Sequence, residues 1–224
     1  MPILMVLRKD MMPTGKNFRI HGTDKENTKL TVPASLYSEN GGVTLENLTY
    51  TVPTGLAYTE STFAFIQRVK NVEIKDCIID GSLRLNIVDG GVANIEGCTF
   101  NVNTQSGFDG YGLFYYAASG STVNVKDCEF NTMGKAIVLY NESPQVYKLN
   151  VDNCKFVASQ TSDKCAIQMH TELGISGTVH INNCTATGFL AKNGGLWNEV
   201  NNSTKEETYK FNIFVNGVHV HTAR

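Results

Sequence analysis

Five of the six cysteines in this chain stand at the same step of one repeating phrase. VEIKDCII (72–79), ANIEGCTF (93–100), VNVKDCEF (123–130), LNVDNCKF (149–156) and VHINNCTA (179–186) follow a single template: two apolar residues in alternation, two turn-formers, cysteine, and an apolar residue two places on. A period of two marks a β-strand. The pairs KD, EG, KD, DN and NN interrupt it with residues that tolerate a left-handed or sharply bent backbone. Each phrase therefore predicts a short strand, a corner and a second strand. The inward residues are Val72, Ile74, Cys77 and Ile79, with Ala93, Ile95, Cys98 and Phe100 next. Val123, Val125, Cys128 and Phe130 follow, then Leu149, Val151, Cys154 and Phe156, and last Val179, Ile181, Cys184 and Ala186. VTLENLTY (43–50) is an earlier copy with leucine in the cysteine place, and FRIHGT (18–23) is a degenerate one.

A second set of strands lies between the first: FAFIQR, SLRLN, GLFYY, AIVLY, AIQMH and GLWNE. Each repeat thus carries about three strands, and the Cys-to-Cys steps of 21, 30, 26 and 30 residues fall in the solenoid range. No helical stripe competes. The expected fold is all-β: a single-stranded, right-handed parallel β-helix of about six to seven coils, a rod roughly 30 Å long at ~4.8 Å per coil. One domain spans 1–224: an atypical, truncated-looking first coil over 1–17, coils over 18–200, and a C-terminal cap over 205–224. In the cap, YKFNIFVNGVHV reads as a hairpin turning at Asn216-Gly217.

Stacked in register, like residues meet like residues, and a thiol is a small apolar filler for a tight corner. The ladder is expected to be reduced, because a core of this size needs no disulfide staples. Zinc would need closely paired ligands such as C-x2-C, which are absent, and no cofactor or metal is expected. Cys165 stands outside the ladder with no assigned role. Nineteen basic against twenty-one acidic residues, without a run of five like charges, argue against a nucleic-acid or membrane-surface partner. No apolar stretch reaches the ~20 residues needed to span a bilayer, so no membrane insertion is expected.

The x-D/N-C-x-F coils resemble the right-handed parallel β-helix superfamily with the pectate-lyase-like fold. LTVPASLYSENGGVTLENLTY, NTQSGFDGYGLFYY and SGTVHINNCTATGF are similar to uncharacterised surface proteins of gut Bacteroidales. The resemblance spans residues 15 to 200 and implies an extracellular or cell-surface module; the chain itself shows no usual secretory signal, and a cytoplasmic location stays open. Activity does not follow, since this superfamily hosts lyases, hydrolases, esterases, tailspikes and inert adhesins.

Coil-to-coil spacing predicts loops at one edge of the rod, over 51–62, 101–111, 157–164 and 187–194, the usual place for function on a rigid scaffold. If Leu113, Ile137, Ile167 and Leu196 face inward on the strands that follow, then Phe114, Val138, Gln168 and Trp197 face outward. Tyr116, Tyr140, His170 and Glu199 then form a second outward row, with Arg84 and Asn86 one coil earlier. The predicted site is Arg84, Phe114, Tyr116, Tyr140, His170, Trp197 and Glu199: aromatic faces for sugar rings, polar neighbours for hydroxyls, and a polysaccharide or other glycan as ligand. The competing reading is a lyase or glycoside hydrolase, for which Glu142, Glu172 and Glu199 offer acids on successive coils and His170 beside Glu172 an acid–base pair. Its catalytic residues are not assigned, because the stripe lacks the clustered aspartates of the family lyases. His219 and His221 share a strand face, but two ligands make no metal site. A solenoid exposes strand edges at both ends, so end-to-end self-association is a further expectation.

Overall fold

From the strand Gly42–Glu46 on, each described coil turns on a residue in the left-handed backbone region just before the ladder position. Asn47 (φ 53°), Asp76 (52°), Gly97 (64°), Asp127 (53°), Asn153 (51°) and Asn183 (54°) precede Leu48, Cys77, Cys98, Cys128, Cys154 and Cys184. Asn, Asp and Gly bear this conformation at least cost, so the dipeptides that interrupt the alternation are the corners themselves. The computed structural model describes residues 15–31, 36–38, 40–51, 64–103, 110–116, 118–141, 144–171, 173–191, 193–200 and 210–220. The expectations for 1–14, for most of 51–62 and 101–111, and for Glu142, Glu172 and His221 lie outside those residues.

Three parallel faces result. On the first, β1 (Asn17–His21), β4 (Gly42–Glu46), the later halves of β6 (Ala64–Lys75) and β8 (Leu83–Glu96), β11 (Thr122–Lys126), β14 (Gln145–Asp152), β17 (Ile175–Asn182) and β20 (Phe211–Val215) stack in register. The second holds β2 (Lys29–Thr31), β5 (Thr49–Thr51), β7 (Ile78–Asp80), β9 (Thr99–Val102), β12 (Glu129–Thr132), β15 (Lys155–Ser162) and β18 (Thr185–Phe189). The third is formed by β3 (Leu36–Tyr37), the early halves of β6 and β8, β10 (Leu113–Tyr116), β13 (Ile137–Tyr140), β16 (Ile167–His170) and β19 (Trp197–Val200). Each expected loop begins as strand: Thr51 belongs to β5, 101–102 to β9, 157–162 to β15 and Thr187–Phe189 to β18.

The predicted inward residues line the core, with Cys184 and Ala186 half-buried at its last coil. The cysteines are free thiols, and each ladder thiol donates to the carbonyl two residues back at 3.1–3.3 Å. From Cys98 on, each also lies within 3.6–3.8 Å of a carbonyl of the preceding coil. Cysteine thus fills the corner with a small apolar side chain that also reaches a carbonyl acceptor, a donor that Leu48 in the same column does not supply. A ring ladder runs alongside, with Phe100 stacked on Phe130 at 4.4 Å and Phe130 tilted to Phe156 at 5.2 Å.

Outside, amides link the coils. Asn94 donates to Glu73 (2.6 Å), Asn124 to Asn94 (2.7 Å) and Asn150 to Asn124 (2.7 Å). At the C-terminal end β20 and β21 (Val218–Val220) form the predicted antiparallel hairpin, with Asn216 (φ 48°) and Gly217 (φ 77°) at its turn. Asn216 Oδ1 accepts from the Asn183 amide at 2.8 Å, and the Asn216 amide donates to Ile181 O at 3.0 Å. In the coils below, a carbonyl of the next coil accepts from the corner amide, so the cap side chain stands in for a missing rung.

Candidate functional site

The third face carries two outward rows, set by the parallel register of β8, β10, β13, β16 and β19. One row is Arg84, Phe114, Val138, Gln168 and Asn198; the other is Asn86, Tyr116 and Tyr140, which His170 continues. Alternation along each strand keeps Leu113, Tyr115, Ile137, Leu139, Ile167 and Met169 on the core side.

The rings interlock. Phe114 meets Tyr111 at 5.7 Å, Tyr116 at 5.7 Å and Tyr140 at 5.6 Å. Tyr116 and Tyr140 pack edge-on at 5.7 Å, and Tyr140 and His170 at 5.5 Å. The Arg84 guanidinium lies 4.7 Å from the Tyr116 centroid and 5.4 Å from that of Phe114, while Lys135 Nζ sits 5.1 Å over Tyr111. These are cation–π distances. Half-burial raises the Tyr111 hydroxyl pKa, opposed by the charge of Lys164. The Gln168 amide contacts His170 Nε2.

Three expectations need correction. Phe114 faces outward but is only 1% exposed, covered by its ring neighbours, and so forms the floor of the cluster. Trp197 pairs with Ile167, not Gln168, and its ring is buried in the core. Leu196 instead takes the corner column of Ala136 and Ala166, receiving the Ile167 amide on its carbonyl as Ala166 receives that of Ile137. That one-residue slip also moves Glu199 off the stripe to the level of Met169. There its carboxylate accepts from the Phe211 amide at 3.5 Å, and its charge, after burial, helps raise the Tyr147 hydroxyl. The rows retain Arg84, Tyr116, Tyr140 and His170, the last three half-buried with accessible edges.

Beside Tyr116 the face opens into a shallow groove of about 440 Å³ at the corner between the third and first faces. Asn86, Asn141, Gln145, Arg68, Lys70 and Asp89 contribute its polar lining. No group of three or more His, Cys, Asp or Glu side chains suited to a metal ion occurs among the described residues.

Comparison with known protein families returned a match over residues 16–172 to the family described as the right handed beta helix region. The chain belongs to the right-handed β-helix family. No curated protein and no solved structure matched it.

On this right-handed β-helix the rings and the groove form one continuous surface, joined at Tyr116 and Asn86. The sequence reading missed the groove because Arg68 and Lys70 lie in QRVKN, where β6 departs from the coil template. It missed the Tyr111 contribution because that residue precedes the strand and reaches the cluster only through its stacked ring. The alignment of KAIVLY, CAIQMH and GLWNEV by their corner residue holds the signal that turns Trp197 inward.

Proposed function

We propose that this protein is a non-catalytic β-helix module, exported to the cell surface, that binds an extended glycan along its third face. The observation that carries the reading is the row of Tyr116, Tyr140 and His170, braced from beneath by Phe114 and Arg84 and continuous with a groove rich in carboxamides. Ring edges and faces on successive coils offer apolar contact to pyranose rings, and carboxamides donate to and accept from hydroxyls. Rings locked by their neighbours lose little entropy on binding. The pectate-lyase-like character of the coils and the likeness of three segments to surface proteins of gut Bacteroidales support the surface location.

A glycan array followed by Tyr140→Ala tests it. Binding without turnover is expected, abolished in the variant, whose circular dichroism spectrum should keep its β form even though loss of a ring over Phe114 lowers the melting temperature. New reducing ends or unsaturated products would favour a polysaccharide lyase or hydrolase, and no binding by the native chain would discard the site.

A further inference from the structure

The corner between the third and first faces is turned by a left-handed residue in coil after coil: Asn40 (φ 58°), Gly90 (66°), Gly120 (67°) and Gly174 (76°). In β6 the same corner is Arg68, at φ 54°. Among the described residues, every other non-glycine with positive φ is Asn or Asp. In this region the Cβ of an ordinary L-residue crowds the carbonyl that follows; glycine avoids the clash, and Asn offsets it with a short local hydrogen-bonding side chain. The neighbouring corners show that the turn itself asks for no arginine.

What the arginine gains is position. The β6–β8 pairing shifts register on both sides of Val69, a bulge of the kind that re-aims side chains. Arg68 and Lys70 flank that residue, are exposed, and line the groove that abuts Tyr116. The acid of the same groove, Asp89, accepts the Ser119 amide at 3.1 Å. A strained arginine at the mouth of a polar groove fits a residue retained for its charge and its planar fork.

The geometry points to Arg68 and Lys70 as a subsite for an anionic substituent, a carboxylate or sulfate, on the glycan that Tyr116 and Tyr140 bind. This inference rests on the glycan reading above and specifies the ligand as an acidic saccharide. The guanidinium engages two oxygens of the anion, the ammonium adds a point charge, and Asn86, Asn141 and Gln145 meet the hydroxyls beside it.

The test compares native protein, Arg68→Asn and Tyr140→Ala on an array of uronate-bearing oligosaccharides, sulfated oligosaccharides and their neutral counterparts. Asn is the residue found at the Asn40 corner, so Arg68→Asn is expected to fold with an equal or higher melting temperature. Its preference for acidic over neutral glycans should fall at least about tenfold, the scale of a charge-assisted hydrogen bond. The acidic set on which that loss appears distinguishes carboxylate from sulfate. Native binding to the acidic set should also weaken as salt rises. Unchanged acidic binding in Arg68→Asn, together with its loss in Tyr140→Ala, would overturn the subsite and leave the glycan reading intact. A native chain that binds only neutral glycans would do the same. A native chain that binds none of the three sets would overturn both.

Discussion

Trp197 stacks on Ile167, and that pairing decides which side of the third face its ring occupies. Its contribution is therefore to the core of the last coil, where it is 5% exposed. Trp197→Ala should destabilise the fold by about 3–5 kcal/mol, the usual range for an emptied aromatic site. Urea unfolding measures this; a variant as stable as the native chain would place the ring outside the core.

Asn124 is the middle of an amide chain, donating to Asn94 and accepting from Asn150. Its replacement by alanine severs both links and should cost about 1–2 kcal/mol, roughly one net hydrogen bond each. Asn124→Asp keeps the acceptor but sets a carboxylate against the Asn94 oxygen. The deficit of that variant should shrink as pH falls and the acid regains a proton to donate. Urea midpoints across the acid range would reveal the trend, and a pH-independent deficit would contradict the ladder.

Burial raises the Tyr115 hydroxyl from its ordinary 10.0 to about 12, against a smaller opposing hydrogen bond from Ser121. Burial drives Tyr147 well above the ordinary value too, and its hydroxyl has no hydrogen-bond partner. A phenol whose folded pKa lies above its unfolded one gives stability that is complete below the unfolded value and lost as pH rises past it. Unfolding should therefore set in between about pH 10 and 12, with part of the tyrosinate absorbance appearing only as the circular dichroism signal collapses. Tyr147→Phe should be neutral or stabilising at pH 7, because it removes a buried hydroxyl that bonds to nothing.

The thiols should react in an order set by exposure. Cys184, half-buried at the last ladder position, is expected to react first with an aromatic disulfide reagent. Cys165 should lag because it is buried, closed off from the reagent. Cys128 is held protonated by its contact with Cys154 as well as by burial. Equal rates for all six in the folded protein would argue against a closed interior.

Nearly the whole coil path was legible in the sequence, because each corner announces itself with Asp, Asn or Gly before the ladder residue and period-two alternation marks what faces in. The three faces, the hairpin at Asn216-Gly217 and the leucine copy at Leu48 all follow from those two signals. The site was legible only in part. Outward residues on the third face carry no template, and one misassigned corner residue, Leu196, turned Trp197 and Glu199 the wrong way round. Alternation also reports direction and not cover: Phe114 points outward as read, yet lies beneath Tyr111, Tyr116 and Tyr140.

Asn216 closes the first face by holding out one amide oxygen where the next layer would have held out its backbone. A terminus of that kind matches a generic corner: Asn183, which it caps, and Asn153 one turn before Asn183 are both left-handed asparagines. The molecule's length is accordingly modular. Whole windings can be removed or duplicated upstream while an unchanged β20–β21 hairpin still covers the last rung of the first face.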